Sequence, residues 1–169
     1  GVGSGLNFQY YDNAKIDKII GLDPSAELST MARKVADAQN LHVEFLQGYA
    51  EDICLPDSSI DTVLVTYTLC TVNDTLKVCQ EALRVLKENG QLLFCEHGLA
   101  PDESVARWQN RINPIWGKMA GGCNLNRDIG FVINESGFEI KTLEKMYLPK
   151  TPRFAGYNYW GSAVPKSTN

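Results

Sequence analysis

The stretch Gly1-Val2-Gly3-Ser4-Gly5, running into Leu6-Asn7-Phe8-Gln9-Tyr10-Tyr11, decides how the rest of the chain is read. Three glycines at alternate positions make a turn that can take positive φ and bring its backbone close to a ligand, because no Cβ holds the ligand away. The apolar, helix-compatible run behind it (Leu6, Phe8, Tyr10, Tyr11) would put the positive end of a helix at that turn. Amides and helix end together suit an anionic or carboxylate-bearing ligand. Glycine-rich pentapeptides are also ordinary loops, so the residues beyond the turn must decide.

Beyond the turn, strand and helix alternate. Lys18-Ile19-Ile20-Gly21-Leu22 reads as a buried strand ending at Asp23-Pro24. From Ser25 to about Asn40 the pattern is helical, with Leu28, Met31, Ala32 and Val35 on one face. Val43-Glu44-Phe45-Leu46 is a second strand, and the β-branched run Thr62-Val63-Leu64-Val65-Thr66 a third. Asp74 can cap a helix whose stripe is Val78, Ala82, Val85 and Leu86, with Asn89-Gly90 as its C-terminal cap before the strand Gln91 to Cys95. Such alternation implies an α/β fold with a mostly parallel sheet, whose ligands bind beyond the carboxyl ends of the strands.

The last third differs. Val105, Trp108 and Ile112 form an amphipathic series, and Asn113-Pro114 reads as a cap and first-turn proline restarting a helix through Trp116 and Met119. Gly121-Gly122 breaks it, Asn126 can cap a further short helix, and Ser136-Gly137 stops that one. Two extended stretches, about Phe138 to Tyr147 and about Phe154 to Val164, must pair antiparallel if they pair directly. The expected fold is thus a doubly wound sheet closed by a C-terminal hairpin, in a single domain over 1–169 with a helical, acceptor-side insert at about 103–136.

Composition narrows the function. At 169 residues, 44% apolar and 21% charged, this is ordinary globular material, and a net charge of -4 argues against a nucleic-acid partner. No run approaches the ~20 apolar residues of a membrane span. Five cysteines (Cys54, Cys70, Cys79, Cys95, Cys123) and two histidines (His42, His97) show no paired spacing. Neither a disulfide framework nor a metal site is indicated, and free thiols in a reducing, cytoplasmic setting are expected.

Taken in order, these residues resemble the class I S-adenosylmethionine-dependent methyltransferases, over the whole chain. The likeness is carried by Gly1 to Gly5, Gly21-Leu22-Asp23-Pro24-Ser25, Gly48-Tyr49-Ala50-Glu51-Asp52, Leu55-Pro56-Asp57, Ala82-Leu83-Arg84-Val85-Leu86 and Cys95-Glu96-His97-Gly98. Within that class it looks most like the small-molecule enzymes, the alkyl-thiol methyltransferases and the quinone-biosynthesis C-methyltransferases. The segments Gly5 to Phe8, Thr68 to Val72 and Gly122-Cys123-Asn124-Leu125 favour the thiol branch.

The resemblance implies S-adenosyl-L-methionine as cofactor and a Rossmann-like fold. Gly1, Gly3, Ser4 and Gly5 would lie along its methionine part and ribose, and Asp23 would accept the ribose hydroxyls. Tyr49, Ala50 and Glu51 (or Asp52) would frame and read the adenine, and Thr66 would sit near the methionine end. His97 is the expected base where an acceptor must lose a proton. Cys70, Trp108 and Trp116 are the expected acceptor-pocket residues, with Met119, Tyr157 and Trp160 behind them. The acceptor would be a small apolar or aromatic molecule, an alkyl thiol before a quinone or phenol. Two rival readings are a catalytically silent cofactor-binding scaffold and a nicotinamide-dependent oxidoreductase; the latter's third glycine would fall at Leu6. A glycine loop of this kind leaves the end of a strand, so an apolar strand upstream of Gly1, central in the sheet, is also expected, and any membrane anchor would lie there.

Overall fold

A computed structural model of the chain describes residues 1–167. The chain divides into two compact units, Gly1–Cys54 and the residues from Leu55 onward.

In the first unit, β1 (Ile19–Asp23) pairs in parallel with β2 (Val43–Gln47), and α1 (Ala26–Ala38) connects them. Ser25 caps α1 by accepting the Leu28 amide at 3.2 Å. The core is Phe8, Ala32 and Ala36, with Val2, Ile19, Val35 and Phe45 packed around it. α1 approaches through its small residues, so Leu28 and Met31, expected on the inner face, remain 37% and 49% exposed. The run behind the glycines is a single 3-10 turn (Leu6–Tyr10) that buries Phe8 alone. Gly5, at φ 81, has no room for a side chain: a Cβ would lie 2.9 Å from the Phe8 ring and 3.1 Å from the Ala32 Cα.

In the second unit β3 (Ile60–Thr66), β4 (Leu86–His97), β5 (Phe138–Tyr147) and β6 (Tyr157–Pro165) form one sheet in the order β3-β4-β6-β5. β3 and β4 are parallel, while β6 is antiparallel to both of its neighbours, so the expected hairpin closes the sheet. Among the described residues four helices join the strands: α2 (Thr75–Val85), α3 (Glu103–Met119), α4 (Ile129–Glu135) and the short α5 (Arg153–Gly156).

Four boundaries differ from those the sequence suggests. Phe154 to Gly156, expected in the last extended stretch, belong to α5, so β6 starts at Tyr157. α2 stops at Val85, and Lys87 to Gly90 form a bulge inside β4, since Ile60 faces Leu86 and Thr62 faces Gln91. Gly90 is therefore no helix cap; a Cβ there would meet Lys87 O at 2.9 Å and Asp61 O at 3.0 Å. α3 runs unbroken through Pro114. Asn113 does not cap; its Oδ1 accepts the Leu125 amide at 2.7 Å, and its Nδ2 donates to Asn124 Oδ1 at 3.0 Å. α4 is capped by Asp128, not Asn126, with the Phe131 amide 3.1 Å from the carboxylate. Gly121, Gly122 and Gly137 end their helices at positive φ, as expected.

Candidate functional site

The glycine turn and the acidic strand end form one structure in the first unit. Val2 N–H donates to Leu22 O at 2.9 Å, laying the turn along β1. Asp23 is 5% exposed, and its carboxylate accepts from the Gly3 amide at 2.8 Å and the Ser25 amide at 2.9 Å. Each oxygen keeps lone-pair capacity for a further donor. Above Gly3, at φ 55, a Cβ would meet nothing within 4 Å. Gly48 N–H donates to Asp23 O at 3.3 Å, which brings the turn Tyr49-Ala50-Glu51 to the same strand ends; Tyr49 is exposed and Ala50 and Glu51 half-buried. Gly1 and Ser4 flank Gly3 in that turn.

Thr66, Cys70, His97, Trp108 and Trp116 belong to the second unit. Thr66 ends β3, and its carbonyl accepts the Thr68 hydroxyl at 3.2 Å. His97 ends β4, and its Nε2 lies 3.0 Å from Cys123 Sγ. Cys70, on the turn after β3, joins them: its thiol, the Cys123 thiol and the imidazole lie within 4.8 Å of one another. Burial lowers the His97 pKa below its ordinary value, so the ring is neutral at pH 7, and burial pushes the Cys70 thiol well up.

Glu96, next to His97, is wholly buried. Its Oε1 accepts the Thr68 amide at 2.7 Å and the Leu69 amide at 3.0 Å, while Oε2 meets no partner among the described residues. Burial outweighs those amides and raises its pKa to about 7.

On the α3 side an open depression of about 600 Å³ is lined by Ser104, Val105, Trp108, Ile112, Arg153 and Phe154. Its one cation is engaged, because Arg153 pairs with Asp102 at 2.8 Å and stacks over Tyr147 at 4.1 Å. Trp116 stands behind the wall. Its ring meets Phe154 edge-on at 5.8 Å, and its Nε1–H donates to Cys123 Sγ at 3.3 Å. Tyr157 is a core residue of β6, Trp160 is half-buried on the same strand and Met119 is 83% exposed, and none of the three lines the depression.

The sequence singled out Cys70 and His97 but gave Cys123 no role; only the segment Gly122 to Leu125 drew notice, as a likeness. It also passed over Gln109, buried on α3, which holds the depression's frame. The Gln109 Oε1 accepts the Ala100 amide at 2.8 Å, and its Nε2 donates to Gly98 O and Phe154 O, each at 3.0 Å. A glutamine in an amphipathic helix carries no sign of such a duty.

Known proteins resemble the chain in both sequence and fold. A family described as a methyltransferase domain matches residues 1–94. The thiol S-methyltransferase TMT1B of Rattus norvegicus is 36% identical over 166 residues, covering 92% of this chain and 67% of its own length. A demethylmenaquinone methyltransferase of Listeria monocytogenes is 32% identical over 108 residues, 59% of this chain and 44% of its own. Among solved structures, an S-adenosylmethionine-dependent methyltransferase of Methanosarcina mazei superposes with a TM-score of 0.77 at 20% identity, covering 98% of this chain and 89% of that one.

Proposed function

Since the chain belongs to the class I S-adenosylmethionine-dependent methyltransferases, we propose that its acceptor is a small, apolar alkyl thiol. S-adenosylmethionine is the cofactor, and the first unit fits it. The space above Gly3 is open, and the buried Asp23 carboxylate retains acceptor capacity for hydroxyl groups. In this reading Gly1, Gly3, Ser4 and Gly5 receive the methionine and ribose parts, Asp23 the ribose hydroxyls, and Tyr49, Ala50 and Glu51 the base. When bound, the cofactor supplies a methyl group already activated on a sulfonium sulfur.

The protein's remaining work is to align an acceptor and keep water away. The observation that carries the acceptor reading is the depression walled by Val105, Trp108, Ile112 and Phe154. With Arg153 already paired to Asp102, an apolar acceptor without a carboxylate suits it better than an anion. Thiol is favoured over phenol or quinol by the rat relative, a thiol S-methyltransferase, and by chemistry: sulfur is intrinsically the stronger nucleophile, so even a small thiolate fraction can attack. His97 Nε2 faces Cys123 Sγ at 3.0 Å, so the ring is engaged within the protein.

The test is a methyl-transfer assay over an alkyl thiol, a phenol, a quinol and an amine. The alkyl thiol should be methylated fastest, and Trp108→Ala should raise KM for it about fivefold or more with kcat little changed. Transfer to the phenol or quinol with none to thiols overturns the acceptor assignment. Cofactor binding without transfer to any acceptor favours the silent scaffold.

A further inference from the structure

We propose that Cys70, His97 and Cys123 form a binding site for a zinc(II) ion, with two thiolates and one imidazole as ligands. The three donor atoms lie within 4.8 Å of one another, and the Cys123 Sγ to His97 Nε2 distance is 3.0 Å. Tetrahedral zinc with Zn–S near 2.3 Å and Zn–N near 2.05 Å needs sulfur–sulfur spacing of ~3.8 Å and sulfur–nitrogen spacing of ~3.6 Å. The Cys123–His97 approach is shorter than its target and every other pair stays within 4.8 Å, so small side-chain rotations can bring the set to that geometry. A donor set of two sulfurs and one imidazole nitrogen selects zinc over magnesium or calcium. Three protein ligands leave the fourth position to solvent, and the partly exposed His97 gives the ion a way in.

The segments that carry these donors are held together by bonds that do not involve the donor atoms. Asn124 N–H and Nδ2 both donate to Cys70 O, at 2.8 and 3.1 Å, fastening the Cys123 loop to the turn after β3. Arg127 bonds Leu69 O and, at 2.7 Å, Val72 O, which fastens the same two segments again. Glu96 Oε1 ties the Thr68 and Leu69 amides to the end of β4, one residue before His97. Three remote stretches of chain are therefore clamped so that two thiols and an imidazole converge. Buried cysteines are usually packing. Here, however, Cys123 Sγ also receives the Trp116 Nε1–H at 3.3 Å, the kind of outer hydrogen bond that orients a metal-bound thiolate. Binding replaces the thiol protons with the ion and releases them to the buffer.

The experiment titrates the reduced, chelator-treated chain with cobalt(II) and then zinc(II), with no cofactor or acceptor present, so its outcome is separate from that of the thiol-acceptor reading. One equivalent of cobalt should give a thiolate charge-transfer band with tetrahedral d–d absorption, and one equivalent of zinc should remove it. Cys123→Ser and His97→Asn, each checked for native circular dichroism, should weaken binding more than about tenfold, and Cys54→Ser should not. A second readout needs no variant: zinc should slow alkylation of Cys70 and Cys123, mapped by peptide, at least about tenfold, as expected when a thiolate is metal-bound. Absence of the cobalt band, its survival in both ligand variants, or alkylation indifferent to zinc overturns the proposal.

Discussion

Gly3 and Gly5 both sit at positive φ, yet for different physical reasons. At Gly5 the space is filled, so Gly5→Ala adds a clash with Phe8 and the Ala32 backbone to the backbone strain, and should cost about 2–4 kcal/mol of stability. At Gly3 the space is open, so Gly3→Ala should cost only about 1 kcal/mol while its methyl would intrude on the space proposed for the cofactor. Thermal unfolding with S-adenosylhomocysteine calorimetry separates the two, and undiminished binding by Gly3→Ala would remove that glycine from the site. Glu96 gives a pH prediction. Its folded pKa, about 7, stands above the ordinary carboxyl value of 4.5, so the folded state holds this proton more tightly. That contribution is complete below pH 4.5 and is lost as pH rises through 7, by on the order of 3 kcal/mol. Chelator-treated Glu96→Gln should lack this slope in urea unfolding between pH 5 and 8; an identical slope would place the titration elsewhere. The place of Asp23 at a strand end was legible from the apolar run Ile19 to Leu22 before it. The partnership of Cys123 with His97 was not, because it depends on how loops distant in sequence are clamped.

Helix α3 is held at its middle by one side chain. Gln109 is 1% exposed and satisfies Ala100 N–H, Gly98 O and Phe154 O together. Gln109→Leu keeps the bulk but strands those three backbone groups, and should cost about 3–5 kcal/mol. It should also raise the acceptor KM, because Phe154 loses its anchor beside the depression; denaturant unfolding and the transfer assay read the two effects. At this scale periodicity located every strand, and local chemistry placed the ends badly. Asn113-Pro114 looks like a helix start because proline favours the first turn. In the fold α3 continues through it, and Asn113 turns outward to bond Asn124 and the Leu125 amide. Asn89-Gly90 looks like a helix end, yet the glycine serves a strand bulge where Asp61 O and Lys87 O crowd its Cα. Both pairs have two good local uses, and only tertiary contacts choose between them.

The two units should differ in local stability. β4 and β6 are each flanked by strands on both sides, whereas β1 and β2 form a two-stranded sheet. Hydrogen exchange should therefore be slowest in Leu92–His97 and Tyr157–Ala163 and faster in Ile19–Asp23 and Val43–Gln47. Equal protection of the two groups would contradict this ranking. The architecture was readable because strand–helix alternation and two closing extended stretches are both sequence-local signals. The placement of β6 was not, since pairing an antiparallel hairpin says nothing about which of its strands joins the rest of the sheet. That placement bears on biosynthesis. β6 is made after β5 yet lies between β5 and β4, so the four-stranded sheet cannot close in the order in which it leaves the ribosome. Until residues 157–165 emerge, β4 carries one bare edge, and a nascent chain paused there is at its most prone to aggregate. A premature stop ahead of Tyr157 should accordingly leave insoluble product, visible in a translation-arrest solubility series, even though every residue assigned to cofactor or metal would already have been made.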